Sequence, residues 1–99
     1  MGNFCHIGPA TIIGDNTIIN TGAIIEHDTI IGKHCHIAPK ATISGKTTVG
    51  NIVFVGAGAT IIDGLSICSN VTIGAGATVI KNITEPGTYV GTPAKKTSP

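Results

Sequence analysis

Ninety-nine residues allow one domain at most, and three aromatics (Phe4, Phe54, Tyr89) with no Trp exclude an ordinary core of large side chains. A formal net charge of +1 gives no electrostatic basis for nucleic acid or an anionic membrane as partner. No apolar run reaches membrane-spanning length and residues 1–6 lack the basic start of a signal peptide, so a soluble chain is expected. Cys5, Cys35 and Cys68 show neither CxxC nor a framework spacing, which favours a reducing, cytoplasmic compartment over a disulfide fold.

Residues 1–6 read as a short lead-in, with Phe4 placed to cap the open end of the first coil. From Ile7 to Thr84 the chain then holds one register of thirteen hexads. Their first positions (Ile7, Ile13, Ile19, Ile25, Ile31, Ile37, Ile43, Val49, Val55, Ile61, Ile67, Ile73, Val79) are all Ile or Val. The second position is usually Gly, as at Gly8, Gly14, Gly32, Gly50, Gly56 and Gly74. The fifth is always small or apolar, from Thr11 and Thr17 to Ala77 and Ile83. An apolar period of six fits neither a helix nor strand alternation; it marks a hexapeptide β-helix, each hexad a short strand and a corner.

With three hexads per triangular turn, residues eighteen apart stack at about 4.8 Å. Ala23, Ala41, Ala59 and Ala77 then form an inner column, and Thr42, Thr60 and Thr78 an outward ladder of β-branched filler. Thirteen hexads make about 4.3 turns. Ile12 and Ile30 fall in an outward column that a monomer would leave wet, which points to association along one face. Residues 85–99 open on the turn signal Glu85-Pro86-Gly87. A short returning strand and a basic tail are expected to cover the C-terminal end, the last three residues frayed.

The repeat is broken at Ile25-Glu26-His27-Asp28, where a charged triplet displaces the preferred Gly. His27 falls at a corner and should face outward, with Gly45 one turn on leaving room beside the imidazole. A carboxylate on one ring nitrogen fixes the tautomer and makes the other nitrogen a better general base. Asp28 and Glu26 both qualify, and Lys46, one turn from Asp28, competes for it as a surface pair. His36 lies between Ile18 and Phe54, a half-apolar setting. His34 stacks with Asn16, Ile52 and Asn70 as a solvated corner, and Cys35 reads as a packed thiol rather than a nucleophile.

The hexad register, IIEHDTIIG, HIAP and the ending YVGTPAK together resemble a known group over about residues 7–96. It is the C-terminal domain of sugar acetyltransferases of the sialic acid O-acetyltransferase and bacillosamine-pathway N-acetyltransferase type. The resemblance implies an all-β, left-handed parallel β-helix, a homotrimer, and acetyl-CoA bound in the groove between subunits. It also implies roles by position: His27 as general base, Asp28 as the acid that supports it, and His36 at the acetyl end of the cofactor. Gly45 matches a glycine whose amide lines the thioester site, and Ala57 and Ala75 fall where backbone meets the pantetheine arm. Lys95 and Lys96 are candidates for the coenzyme A phosphates, with a frayed basic tail as the equal alternative. Members carry a nucleotide-sugar-binding domain before this stretch, and this chain begins after it.

The expected chemistry is direct attack of a sugar or nucleotide-sugar amine or hydroxyl on the thioester, with His27 taking the proton. A backbone amide near Gly45 would steady the oxyanion. A non-catalytic trimeric module is the alternative. A zinc enzyme of carbonic-anhydrase type needs converging histidines, but His6, His27, His34 and His36 do not stack at eighteen and H-x4-H is missing, so no metal is expected. An ice-binding solenoid would want a T-x-T array, and the Thr ladder here is single.

Overall fold

A computed structural model describes residues 2–97. The chain winds into a triangular parallel β-solenoid measuring 35 × 22 × 19 Å, with strands of mostly two residues. The first wall stacks β1 (His6–Ile7), β4 (Ile24–Ile25), β7 (Thr42–Ile43), β10 (Thr60–Ile61) and β13 (Thr78–Val79). The second stacks β2 (Ile12–Ile13), β5 (Ile30–Ile31), β8 (Thr48–Val49) and β11 (Ser66–Ile67). The third stacks β3 (Ile18–Ile19), β6 (His36–Ile37), β9 (Phe54–Val55), β12 (Val71–Ile73), β14 (Gly87–Val90) and β15 (Lys95–Lys96). Through β13 every pairing joins residues eighteen apart, as in His6↔Ile24 and Thr60↔Thr78.

Burial follows the hexad. First-position residues point inward: Ile25, Ile37, Ile43, Val55, Ile61 and Ile73 have no exposed surface. Each such side chain contributes about 1.5–3 kcal/mol relative to exposure. The Ala23–Ala41–Ala59–Ala77 column is likewise closed. Thr29 and Thr47, fully buried in the same fifth position, satisfy their hydroxyls by donating to the Ser44 carbonyl at 3.3 and 2.8 Å. Sixth-position residues face out, leaving Ile12, Ile18, Ile30 and Phe54 exposed.

The corners carry a regularity of their own. The fourth position adopts the left-handed conformation on turn after turn, at Asn16, Asp28, His34, Lys40, Lys46, Ile52 and Asn70 and at Gly22, Gly58, Gly64 and Gly76. Asn and Gly accept it readily; the β-branched Ile52 at φ 56° does so under strain.

The ends differ from the sequence reading. Phe4 does not cap the first coil: its residue sits in the left-handed corner position (φ 58°) and 91% of its surface is exposed. The first wall has five strands, so the solenoid runs to about five coils rather than 4.3. Its last coil is two residues short, pairing Ile67↔Ile83 and Val71↔Gly87 at a spacing of sixteen. Ile83 therefore takes an inward strand place opposite Ile67, not the fifth-position column. The expected basic tail is a strand: β15 returns antiparallel on β14, and the Thr97 amide donates to the Thr88 carbonyl at 2.8 Å. Lys96 Nζ meets Glu85 Oε2 at 3.1 Å. Of the three residues expected to be frayed, Thr97 is instead tied to this strand pair by its bond to Thr88, and residues 98 and 99 lie outside the described residues.

Candidate active site

His27 stands at the corner between β4 and β5, in the third hexad position. Two glycines make its placement possible. A Cβ on Gly8, one coil earlier, would lie 2.7 Å from the His27 backbone nitrogen. A Cβ on Gly45, one coil later, would lie 2.7 Å from Nε2 and 2.8 Å from Cε1. The backbone thus packs over the first glycine and the imidazole over the second. Stacking at eighteen predicts the role of Gly45. That of Gly8 is a finding of the structure, although Gly8 stands one turn from Glu26 in the same register.

His27 Nδ1 lies 2.9 Å from Asp28 Oδ2. An ionised carboxylate only accepts, so in the neutral ring Nδ1 carries the hydrogen and Nε2 keeps its lone pair. Both side chains are about half exposed (53% and 54%), where an ion pair adds little to stability.

Glu26, the rival carboxylate, points elsewhere: its Oε1 is 3.9 Å from His6 Nε2. Lys46 does not pair with Asp28 among the described residues; it lines the groove beside His27 instead. That groove, about 380 Å3, is bounded by Glu26, His27, Ser44, Gly45, Lys46 and Asp63. Behind it, Thr11 donates to the Glu26 carbonyl at 3.0 Å, and Thr29 and Thr47 hold that of Ser44. The Gly45 N–H meets no acceptor among the described residues, and Gly45 itself is buried.

His36 is not in this groove. It projects from β6 on the third wall, the side of the triangle opposite the His27 corner. Nine residues separate the two histidines, half of an eighteen-residue turn, so the sequence itself contains this separation. His36 lies between Ile18 and Phe54, edge-on to the Phe54 ring at 5.2 Å. Asn20 Oδ1 accepts from the Thr21 amide at 2.7 Å, which turns Nδ2 to His36 Nε2 at 3.2 Å. Nε2 is therefore an acceptor, and Nδ1 carries the ring N–H.

Ala57 and Ala75 stack at the corner between the third and first walls, and Gly56 lets the Ala75 backbone approach (2.6 Å from the site of a Cβ). Lys95 sits on β15 of the third wall and, with Lys81 and Tyr89, lines a second groove of about 370 Å3 at the C-terminal end. The expected residues thus form two groups: His27, Asp28 and Gly45 at one corner, and His36, Ala57, Ala75 and Lys95 along the third wall and its edge. One chain does not bring the groups together.

No curated protein sequence matches the chain. Among solved structures, the acetyltransferase domain of PglB from Neisseria gonorrhoeae is 31% identical with a TM-score of 0.86, over 94% of this chain and 54% of that one. A histidine variant of GDP-perosamine N-acetyltransferase from Caulobacter crescentus, in complex with CoA and GDP-perosamine, is 35% identical with a TM-score of 0.94, over 96% of this chain and 45% of that one. Serine acetyltransferase from Neisseria gonorrhoeae is 30% identical with a TM-score of 0.80, over 90% and 39%. The chain spans about half the length of the first two. Residues 10–45 and 46–81, most of the sequence, match the bacterial transferase hexapeptide (six repeats) family. By its repeat, its coil and this match, the protein belongs to the bacterial hexapeptide transferases.

Proposed function

We propose that the chain is the acetyl-transferring β-helix of a sugar or nucleotide-sugar acetyltransferase, using acetyl-CoA and acting as a homotrimer. The observation that carries this reading is the His27–Asp28 pair at 2.9 Å, with Nε2 held over a glycine at the edge of an open groove. Acetyltransferases that bind CoA or acetyl-CoA among the similar structures support the choice of donor.

The chemistry follows from these atoms. Nε2 of His27 takes the proton of an acceptor amine or hydroxyl as that atom attacks the thioester carbonyl. In this reading a backbone N–H near Gly45 donates to the developing oxyanion. The C–S bond breaks, and the imidazolium returns its proton to the departing thiolate. Asp28 fixes the tautomer of the neutral ring and holds its orientation when the ring is protonated.

Assembly supplies the rest. The third wall offers an apolar stretch, Ile18 and Phe54 around His36, and Ile12 and Ile30 are exposed on the second wall. Packing the His27 corner of one subunit beside the third wall of the next would bring His36 to the same thioester. The pantetheine arm would then run along Ala57 and Ala75 toward Lys95.

The test is His27→Ala, assayed with acetyl-CoA and an excess of a nucleotide-linked amino sugar. Transfer should fall by about 10²–10⁴-fold, while sedimentation still shows a trimer and calorimetry an unchanged affinity for coenzyme A. A variant as active as the wild type puts the base elsewhere. Wild-type protein that binds acetyl-CoA and transfers to no acceptor is a non-catalytic trimeric module.

A further inference from the structure

We infer that Asp63 makes this groove selective for an amine, so that the protein is an N-acetyltransferase; the inference rests on the acetyl-transfer reading above. His27, Gly45 and Asp63 occupy the same third hexad position on three successive coils, and all three line one groove. The His27 ring lies over Gly45. The Asp63 level is therefore one rung, about 4.8 Å, beyond the imidazole. A single atom making hydrogen bonds of about 2.9 Å to each side fits that gap.

The two sides ask for the same thing. Nε2 needs a donor because Nδ1–H is committed to Asp28, and the Asp63 carboxylate can only accept. A hydroxyl has one hydrogen and can donate to one of them, leaving its lone pairs against the other. A primary amine has two, and an ammonium three, so nitrogen satisfies both. Asp63 has no ion-pair partner among the described residues and is free to take that role.

Charge agrees with the hydrogen-bond count. Glu26, Asp28 and Asp63 are three of the chain's five carboxylates, and all gather at this corner. Lys46 is the one lysine of six lining the groove. The surplus of negative charge draws in an alkylammonium and does nothing for an alcohol. Once bound, the ammonium releases one proton to solvent and becomes the nucleophile. The new N–C bond then forms as His27 takes a second proton and passes it to the thiolate of coenzyme A.

The experiment is calorimetry on the full chain saturated with coenzyme A, titrated with a nucleotide-linked amino sugar or with its counterpart carrying a hydroxyl in place of the amine. The amine should bind about tenfold more tightly. Asp63→Asn should remove that preference and leave the affinity for coenzyme A unchanged. Equal binding of the two probes, no binding of either, or a preference that survives Asp63→Asn overturns the inference. Preferential binding of the amine without acetyl transfer would sink the catalytic reading, and the N-acetyltransferase assignment with it, and leave only the amine selectivity of the groove standing.

Discussion

Gly45→Ala separates the geometry of the dyad from its mere presence. The added Cβ would meet His27 Nε2 at 2.7 Å, Cε1 at 2.8 Å and Cδ2 at 3.1 Å, whereas ordinary contact begins at 3.4 Å. The ring must therefore withdraw by roughly 0.7 Å, and since a misplacement of about 1 Å can cost 10²-fold, kcat should fall by roughly 10–10²-fold. Stability should barely change. Gly45 is not among the glycines with positive φ, so Ala is conformationally acceptable there and reduces unfolded-state entropy by about 0.4–1 kcal/mol. Disturbing a half-exposed His–Asp pair costs about 0–1 kcal/mol in the opposite sense. Steady-state kinetics beside a thermal melt and coenzyme A calorimetry make the assay. A slow enzyme with a normal melt and normal cofactor affinity is the expected result. Wild-type kcat in this variant refutes the placement of the imidazole over Gly45 as the reacting geometry.

Two other substitutions test the coil itself. Ala59→Leu inserts a large side chain into a fully closed column between Ala41 and Ala77. It should cost about 1–3 kcal/mol and lower Tm by about 4–8 °C per kcal/mol, and an unchanged melt would mean that the column is not packed as described. Ile52→Asn should raise Tm by a few degrees, because Asn relieves about 1 kcal/mol of left-handed strain at an exposed corner. A lower Tm would show that the Ile52 side chain is buried against another subunit.

The parts legible in the sequence are those tied to side-chain size and period. Thirteen β-branched first positions and the Ala column fix the coil because each inward place admits only a narrow range of volume. The dyad is visible because Glu26, His27 and Asp28 interrupt a glycine preference. What escapes depends on backbone shape. The left-handed corner column holds Lys40, Lys46, His34 and Ile52, none of which advertises a turn. The shortened last coil is masked because Ile83 is apolar and therefore suits either register. Which carboxylate serves His27 turns on the contact of Glu26 with His6, twenty residues away and off the stacking register.

Each coil of this solenoid is hydrogen-bonded only to the coil before and the coil after it, with no strand pairing that skips a rung. Cooperativity in such a stack passes from neighbour to neighbour, so opening starts at the ends and works inward. His27, Gly45 and Asp63 occupy the second, third and fourth of the five coils. Fraying of either terminal coil leaves all three in register, and the amides beneath them should be the last to exchange with solvent.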